Sequence, residues 1–163
     1  MRIRMKSNVR NDADAELPHA HLLQVIYLIL FSTLWFLDSF IFSFSTFPAS
    51  LIPLAIRLII AISVLALGFS MTSLGHWLLF NKKLPGWVTI GIFAHVRHPM
   101  YLGYILAYLG CIVGTMSLLS IIPWLLITHL YAKMANYEEQ KLEQKFGKEY
   151  LEYTRKVPKW IPR

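Results

Sequence analysis

A single cysteine, Cys111, lies inside an apolar run of this 163-residue chain. One thiol cannot close an internal disulfide, and no Cys/His grouping has metal-ligand spacing, so neither a disulfide framework nor a bound metal is expected. No Gly-x-Gly-x-x-Gly occurs, which argues against a Rossmann-type cofactor site. Acids are scarce: 9 Asp plus Glu stand against 16 Lys plus Arg, for a net charge of +7. Between residues 22 and 80 charge of either sign is reduced to Asp38 and Arg57.

What fills the space is apolar. The chain is 56% hydrophobic with a mean hydropathy of +0.49, and its apolar residues come in long blocks. That pattern indicates one integral membrane domain, residues 1–163. The basic residues flank the apolar blocks, which suits anionic lipid headgroups better than nucleic acid.

The expected fold is all-α: a bundle of about four transmembrane helices with a cytosolic C-terminal amphipathic helix. Residues 1–21 form a polar N-terminal segment, and residues 22–80 a first helical hairpin. Its spans, about 22–44 and 54–80, are joined by an uncharged turn with Pro48 and Pro53. Both are long enough to cross at about 1.5 Å per residue, so the first reads as a retained helix rather than a cleaved leader. Residues 81–163 hold a polar loop, a second hairpin with spans at about 99–116 and 118–135, and a charged tail. From Lys133 onward there are eight basic and five acidic residues. Positive charge on the loop and tail, against uncharged short turns, places both termini in the cytosol. With no organelle signal, a prokaryotic inner membrane is the expected location.

Two features concern packing. Asp38 and Arg57 lie at similar depth in their spans, and charges inside a bilayer are usually paired, so an ion pair between them is expected. Gly103, Ala107, Gly110 and Gly114 share one helix face, which lets a neighbouring backbone approach closely.

Chemistry concentrates in two places. Residues 91–103, Gly-Ile-Phe-Ala-His-Val-Arg-His-Pro-Met-Tyr-Leu-Gly, place Arg97 and His98 at the mouth of a helix led by Pro99. Free N–H groups and the dipole there favour an anion. Further on, Glu138 and Glu139 open a helical stretch in which Leu142 and Phe146 share the Glu138 face. Gly147 suits a helix stop, residues 148–153 start another turn, and Trp160 beside Lys159 suits the headgroup layer.

Gly91-x-Phe93-x-x-x-Arg97-His98-Pro99-x-Tyr101-x-Gly103 resembles the signature of the isoprenylcysteine carboxyl methyltransferase and phospholipid methyltransferase group. Glu138-Glu139-x-x-Leu142-x-x-x-Phe146-Gly147-x-x-Tyr150-x-x-Tyr153-x-x-x-Val157-Pro158 resembles its second signature, and the likeness covers about residues 72–163. The resemblance implies an S-adenosylmethionine-dependent methyltransferase whose cofactor lies at the cytosolic side, walled by the two motifs. A lipid-like acceptor enters from the bilayer. Carried over by position, cofactor contacts fall on Pro85, Gly86, Trp87, Val88, Phe93, Arg97, His98, Pro99, Met100, Tyr101 and Glu138. Glu138 and His98 are the candidate catalytic groups.

The residues suit that cofactor. Arg97, His98 and the helix mouth match a carboxylate, Glu138 a cation, and Phe93, Tyr101 or Trp87 an adenine or sulfonium. Carboxyl-methylating relatives carry an arginine one turn before the glutamates. Here that position is Met134, with Lys133 beside it and His129 a turn earlier, and these three are the expected acceptor contacts. A lysine is a point charge, not a planar fork. A prenylcysteine-type carboxylate, a phospholipid amine, a small thiol and another lipid acid are all candidate acceptors. Two other classes compete. Certain sterol reductases that use a nicotinamide cofactor carry a related Arg-His-x-x-Tyr-x-Gly, but with asparagine and an acid where this chain has Met100 and Tyr104. A non-catalytic membrane protein could also keep the fold.

Overall fold

The structure is a computed structural model that describes residues 19–81 and 88–161. Its regular elements are all helical among these residues. Helix α1 spans Ala20–Phe36 and continues through a π-helical turn, Leu37–Phe42. Helix α2 spans Leu54–Asn81, α3 Pro99–Thr115, α4 Ile121–Phe146 and α5 Lys148–Lys156. Short 3-10 turns occupy Phe47–Ser50 and Gly91–Ala94.

Among the described residues, two helices are long and apolar enough to cross a membrane: Ala20–Phe42 and Leu54–Phe80. Their apolar residues surround the helix rather than forming one face. On α2 only a narrow stripe is covered, Ala61, Gly68, Met71, Gly75 and Leu78, while Ile59, Ile62, Leu67 and Phe69 stay exposed. The stripe repeats at three-, four- and seven-residue intervals, which puts it on one side of the helix. Exposed apolar surface of this extent suits lipid better than water.

The stripe faces α3, and small residues set the distance. A Cβ added at Gly103 would overlap the Thr72 hydroxyl and lie 2.5 Å from the Gly68 carbonyl oxygen. A Cβ at Gly68 would in turn lie 2.6 Å from the Gly103 carbonyl oxygen. Gly110 meets Leu65 in the same way, at 2.7 Å, whereas a Cβ on Gly114 would only touch Ala61 at 3.4 Å. The expected glycine face is therefore an α2–α3 seam, tightest at Gly103 and loosest at Gly114.

The other side of α3 holds α1 and α4. Phe31 of α1 packs edge-on against Tyr108, with ring centroids 4.6 Å apart. Trp35 donates to Thr115 Oγ1 at 3.0 Å, and Trp124 of α4 donates to the Ile105 carbonyl at 3.0 Å. Half-buried indoles with partners of this kind fix helix register as well as adding contact area.

Two expectations are corrected. Asp38 does not meet Arg57. Its carboxylate accepts from Ser45 N at 2.8 Å and from the Ser45 and Ser117 hydroxyls, and Ser117 Oγ lies 2.7 Å from Ser120 Oγ. Arg57 instead donates to the Ile52 and Gly114 carbonyls at 3.2 and 3.1 Å. Matching depth does not dictate contact when loop hydroxyls and carbonyls are nearer. Nor does the fourth helix end at 135. It begins at Ile121 and runs unbroken through Glu138 and Glu139 to Phe146. The change from apolar to charged residues at Lys133 marks new surroundings, while Ala132, Lys133, Met134 and Ala135 are good helix formers.

Candidate functional site

The last polar residues before α3, the charged half of α4 and the tail after α5 converge at one end of the bundle. Gly91 begins this region with φ +60°, and a Cβ there would come within 2.7 Å of Leu78 Cδ1 on α2. Only glycine takes that conformation cheaply. The chain then turns through Gly91–Ala94, buries Val96 completely, and enters α3 with Pro99 in its first turn. His98 is the N-cap residue, and no side chain caps the helix start.

His98 is the centre of the cluster and is buried at 7% exposure. Its Nε2 lies 2.8 Å from Glu139 Oε1, and its Nδ1 lies 3.7 Å from Glu138 Oε2. Tyr101, one turn into α3, donates its hydroxyl to Glu138 Oε1. Arg97 Nε sits 3.3 Å from Glu139 Oε1. That is an ion-pair contact without a hydrogen bond, since this buried Nε has no in-line acceptor among the described residues. Arg97 Nη1 reaches the Thr154 carbonyl at 3.5 Å, and its backbone N–H donates to Pro158 at 3.0 Å. Lys159 donates to Glu139 Oε2 at 3.0 Å and to Asn136.

Aromatic rings line the same region. The His98 and Tyr101 rings are parallel to within 6° with centroids 5.7 Å apart, and Tyr131 of α4 stacks on Tyr101 at 5.2 Å. Tyr104 lies over the same Tyr131 ring at 5.7 Å, and Trp160 of the tail stands 5.9 Å from His98.

The two glutamates differ in surroundings. Burial pushes the Glu139 carboxyl up, but hydrogen bonds from His98 and Lys159 and the charge of Arg97 outweigh it. The result lies below the ordinary glutamate value. Burial also pushes the Tyr153 phenol up, to about 12, despite the opposing Arg97 charge. Tyr153 is thus a neutral donor, and its hydroxyl bonds the Phe93 carbonyl at 2.7 Å.

Of the residues named from sequence, Arg97, His98, Tyr101 and Glu138 come together, with half-buried Phe93 attached through its carbonyl. Pro99 and Val88 are buried nearby in the chain, and the Met100 side chain turns towards Gly75 on α2. Met134 is buried, and its sulfur accepts from Gln24 of α1 at 3.6 Å. His129 and Lys133 are exposed. Pro85, Gly86 and Trp87 lie outside the described residues. No group of three or more His, Cys, Asp or Glu placed to hold a metal occurs among the described residues.

The roles of five residues escaped the sequence reading: Glu139 as a hub, Tyr131, Tyr153, and the tail residues Lys159 and Trp160. Tyr131 had a signal, because Tyr131, Met134, Ala135 and Glu138 follow helical spacing along one face. The tail had none, since its contacts bridge 20 residues or more.

Comparison with known proteins comes to the same place. The family model described as phospholipid methyltransferase matches residues 45–149. The protein-S-isoprenylcysteine O-methyltransferases B and A of Arabidopsis thaliana are 34% identical over 76 residues and 30% over 102. These matches cover 46% and 61% of this chain, and 39% and 50% of those proteins. The protein-S-isoprenylcysteine O-methyltransferase of Schizosaccharomyces pombe is 37% identical over 81 residues, 46% of this chain and 32% of that protein. The chain thus spans half or less of the length of these relatives. They are eukaryotic and lend no support to a prokaryotic membrane. No solved structure matches the chain. The family match holds the whole first motif and the start of the second, the two segments that the fold brings together around His98, and the chain belongs to the phospholipid methyltransferase family.

Proposed function

We propose that this chain is an integral membrane methyltransferase that transfers the methyl group of S-adenosylmethionine to a lipid-like acceptor at the cytosolic face. The observation that carries the reading is His98 lying between Glu138 and Glu139, which joins the entrance of α3 to the charged half of α4. The names of the relatives favour a prenylcysteine-type carboxylate as acceptor.

The membrane arrangement follows from charge. We take α1, α2, α3 and the apolar half of α4 as four spans, with both termini and the 81–98 loop in the cytosol. The turns at 43–53 and 116–120 carry no charge, whereas the opposite end carries Arg97 and the charged tail. The 17 residues of α3 rise about 25 Å, close to the ~30 Å hydrocarbon core.

The donor set fits a cationic cofactor bearing an amino-acid group. The Glu138 carboxylate, backed by the Tyr101 hydroxyl, suits a positive centre. The aromatic faces of Tyr101 and Tyr131 suit a sulfonium or an adenine. The α3 start, with no side-chain cap, offers N–H groups to a carboxylate. When bound, S-adenosylmethionine supplies an electrophilic methyl group on sulfur. The chain's part is then to orient the acceptor in line, keep water out, and hold charge. Positioning of this kind supplies as much as about 7–11 kcal/mol in the best cases. A carboxylate or thiolate acceptor needs no base. A protonated amine needs one, and Glu138 and His98 are the candidates.

The test is transfer of labelled methyl from S-adenosylmethionine to a prenylcysteine acceptor and to a total lipid extract, in detergent-purified protein. Wild type is expected to label at least one acceptor, with His98→Ala and Glu138→Ala strongly reduced. Wild type no more active than either variant on every acceptor would refute the reading.

A further inference from the structure

The sequence singles out Glu138 of the two adjacent glutamates, but both make contacts in the cluster, and those contacts differ in kind. Glu139 is the meeting point of three basic side chains from two separate stretches: the adjacent Arg97 and His98, and Lys159. It touches the α3 entrance on one side and the tail on the other. Its acidity is enhanced by those neighbours, so at neutral pH it is a carboxylate and only accepts hydrogen bonds. At 2.8 Å the His98 Nε2 must therefore carry the proton of that bond.

We propose that Glu139 is a positioning residue: it fixes the His98 ring with Nε2 protonated, so that Nδ1 is the atom presented towards Glu138. The 3.7 Å between Nδ1 and Glu138 Oε2 is too long for a direct hydrogen bond. A histidine whose two nitrogens have different neighbours is held in one tautomer by whichever bond is made. The ring is also confined laterally, by the parallel Tyr101 ring on α3 and by Trp160. Trp160 is in turn next to Lys159, which Glu139 holds. A single carboxylate thereby sets both the protonation pattern of the imidazole and the closure of residues 157–161 over it. Trp160, which the sequence suggests as a headgroup anchor, belongs to this enclosure.

The inference rests on the methyltransferase reading only for its consequence in ligand binding. The proton arrangement belongs to the protein without ligand. The test uses the full chain in detergent micelles with 15N-labelled histidine, and assigns His98 among the six histidines by comparison with His98→Gln. Wild type should give the Nε2-protonated signature for His98. Glu139→Gln retains a carbonyl acceptor and should keep that signature, while Glu139→Ala should lose it to an average of both tautomers. In parallel, calorimetry with S-adenosylhomocysteine should show about tenfold or greater loss of affinity in Glu139→Ala and about threefold or less in Glu139→Gln. An unchanged His98 signature in Glu139→Ala would overturn the proposal. If that variant does not fold, Glu139→Leu, which fills the space but offers no acceptor, takes its place, and an unchanged His98 signature there would overturn the proposal. Wild type that binds no S-adenosylhomocysteine but shows the predicted spectra would refute the methyl-donor reading and leave the positioning role standing.

Discussion

Glu138 and Glu139 are neighbours on one helix, and side-chain surroundings give them different work. Glu139 is held below the ordinary glutamate value because hydrogen bonds from His98 and Lys159 and the charge of Arg97 outweigh its burial. A carboxyl depressed by folding stabilises the fold above its unfolded value, about 4.3, and that contribution fades as pH falls through the lower folded value. Denaturation at pH 3–5 should therefore lose a pH-dependent component in Glu139→Gln relative to wild type, while stability at pH 7 to 8 varies little with pH in both. Tyr153 has the opposite sign. Its phenol is raised to about 12, so its contribution is complete below about 10 and is lost as pH rises through the folded value. Tyr153→Phe should cost about 0.5–1.5 kcal/mol at neutral pH, measured by denaturation, because the Phe93 carbonyl loses its donor. At Tyr101 the bond goes to a charged group. Tyr101→Phe should weaken S-adenosylhomocysteine binding about 10- to 100-fold, from the ~1.5–3 kcal/mol typical of such bonds. Equal affinity in the two proteins would show that Tyr101 does not organise the site.

Between α2 and α3 the limiting contact is backbone against backbone. Gly103→Ala has nowhere to put its methyl group except against Thr72 and the Gly68 carbonyl, and should cost about 1–3 kcal/mol by overpacking. Gly114→Ala meets only Ala61 Cβ at 3.4 Å and should be neutral or slightly stabilising, so thermal shifts of the two variants separate seam from periphery. This face was legible in the sequence because small residues recur at helical spacing. The helix limits were legible as well, from apolar runs bounded by Pro53 and Pro99. The fate of α4 was not. The charges after Lys133 look like the end of an element, yet helix propensity continues across them. The partner of Asp38 was equally hidden. Sequence shows that a charge in an apolar span needs company, but the hydroxyls that provide it come from two separate turns, at Ser45 and Ser117.

For the whole molecule, the first motif and Glu138 could be marked in advance because their residue types and spacing carry chemistry in themselves. The tail could not, because Lys159, Trp160 and Pro158 reach the site only after the fold brings them back over Arg97 and His98. The same folding back joins the two motifs into one side-chain cluster rather than two separate features. The most direct test of that unity is photochemical attachment of labelled S-adenosylmethionine to the purified protein, with the labelled peptides then identified. The account predicts label on residues 91–104 or 131–139, abolished by excess S-adenosylhomocysteine. Label confined to other segments, or label that excess S-adenosylhomocysteine leaves in place, would contradict it.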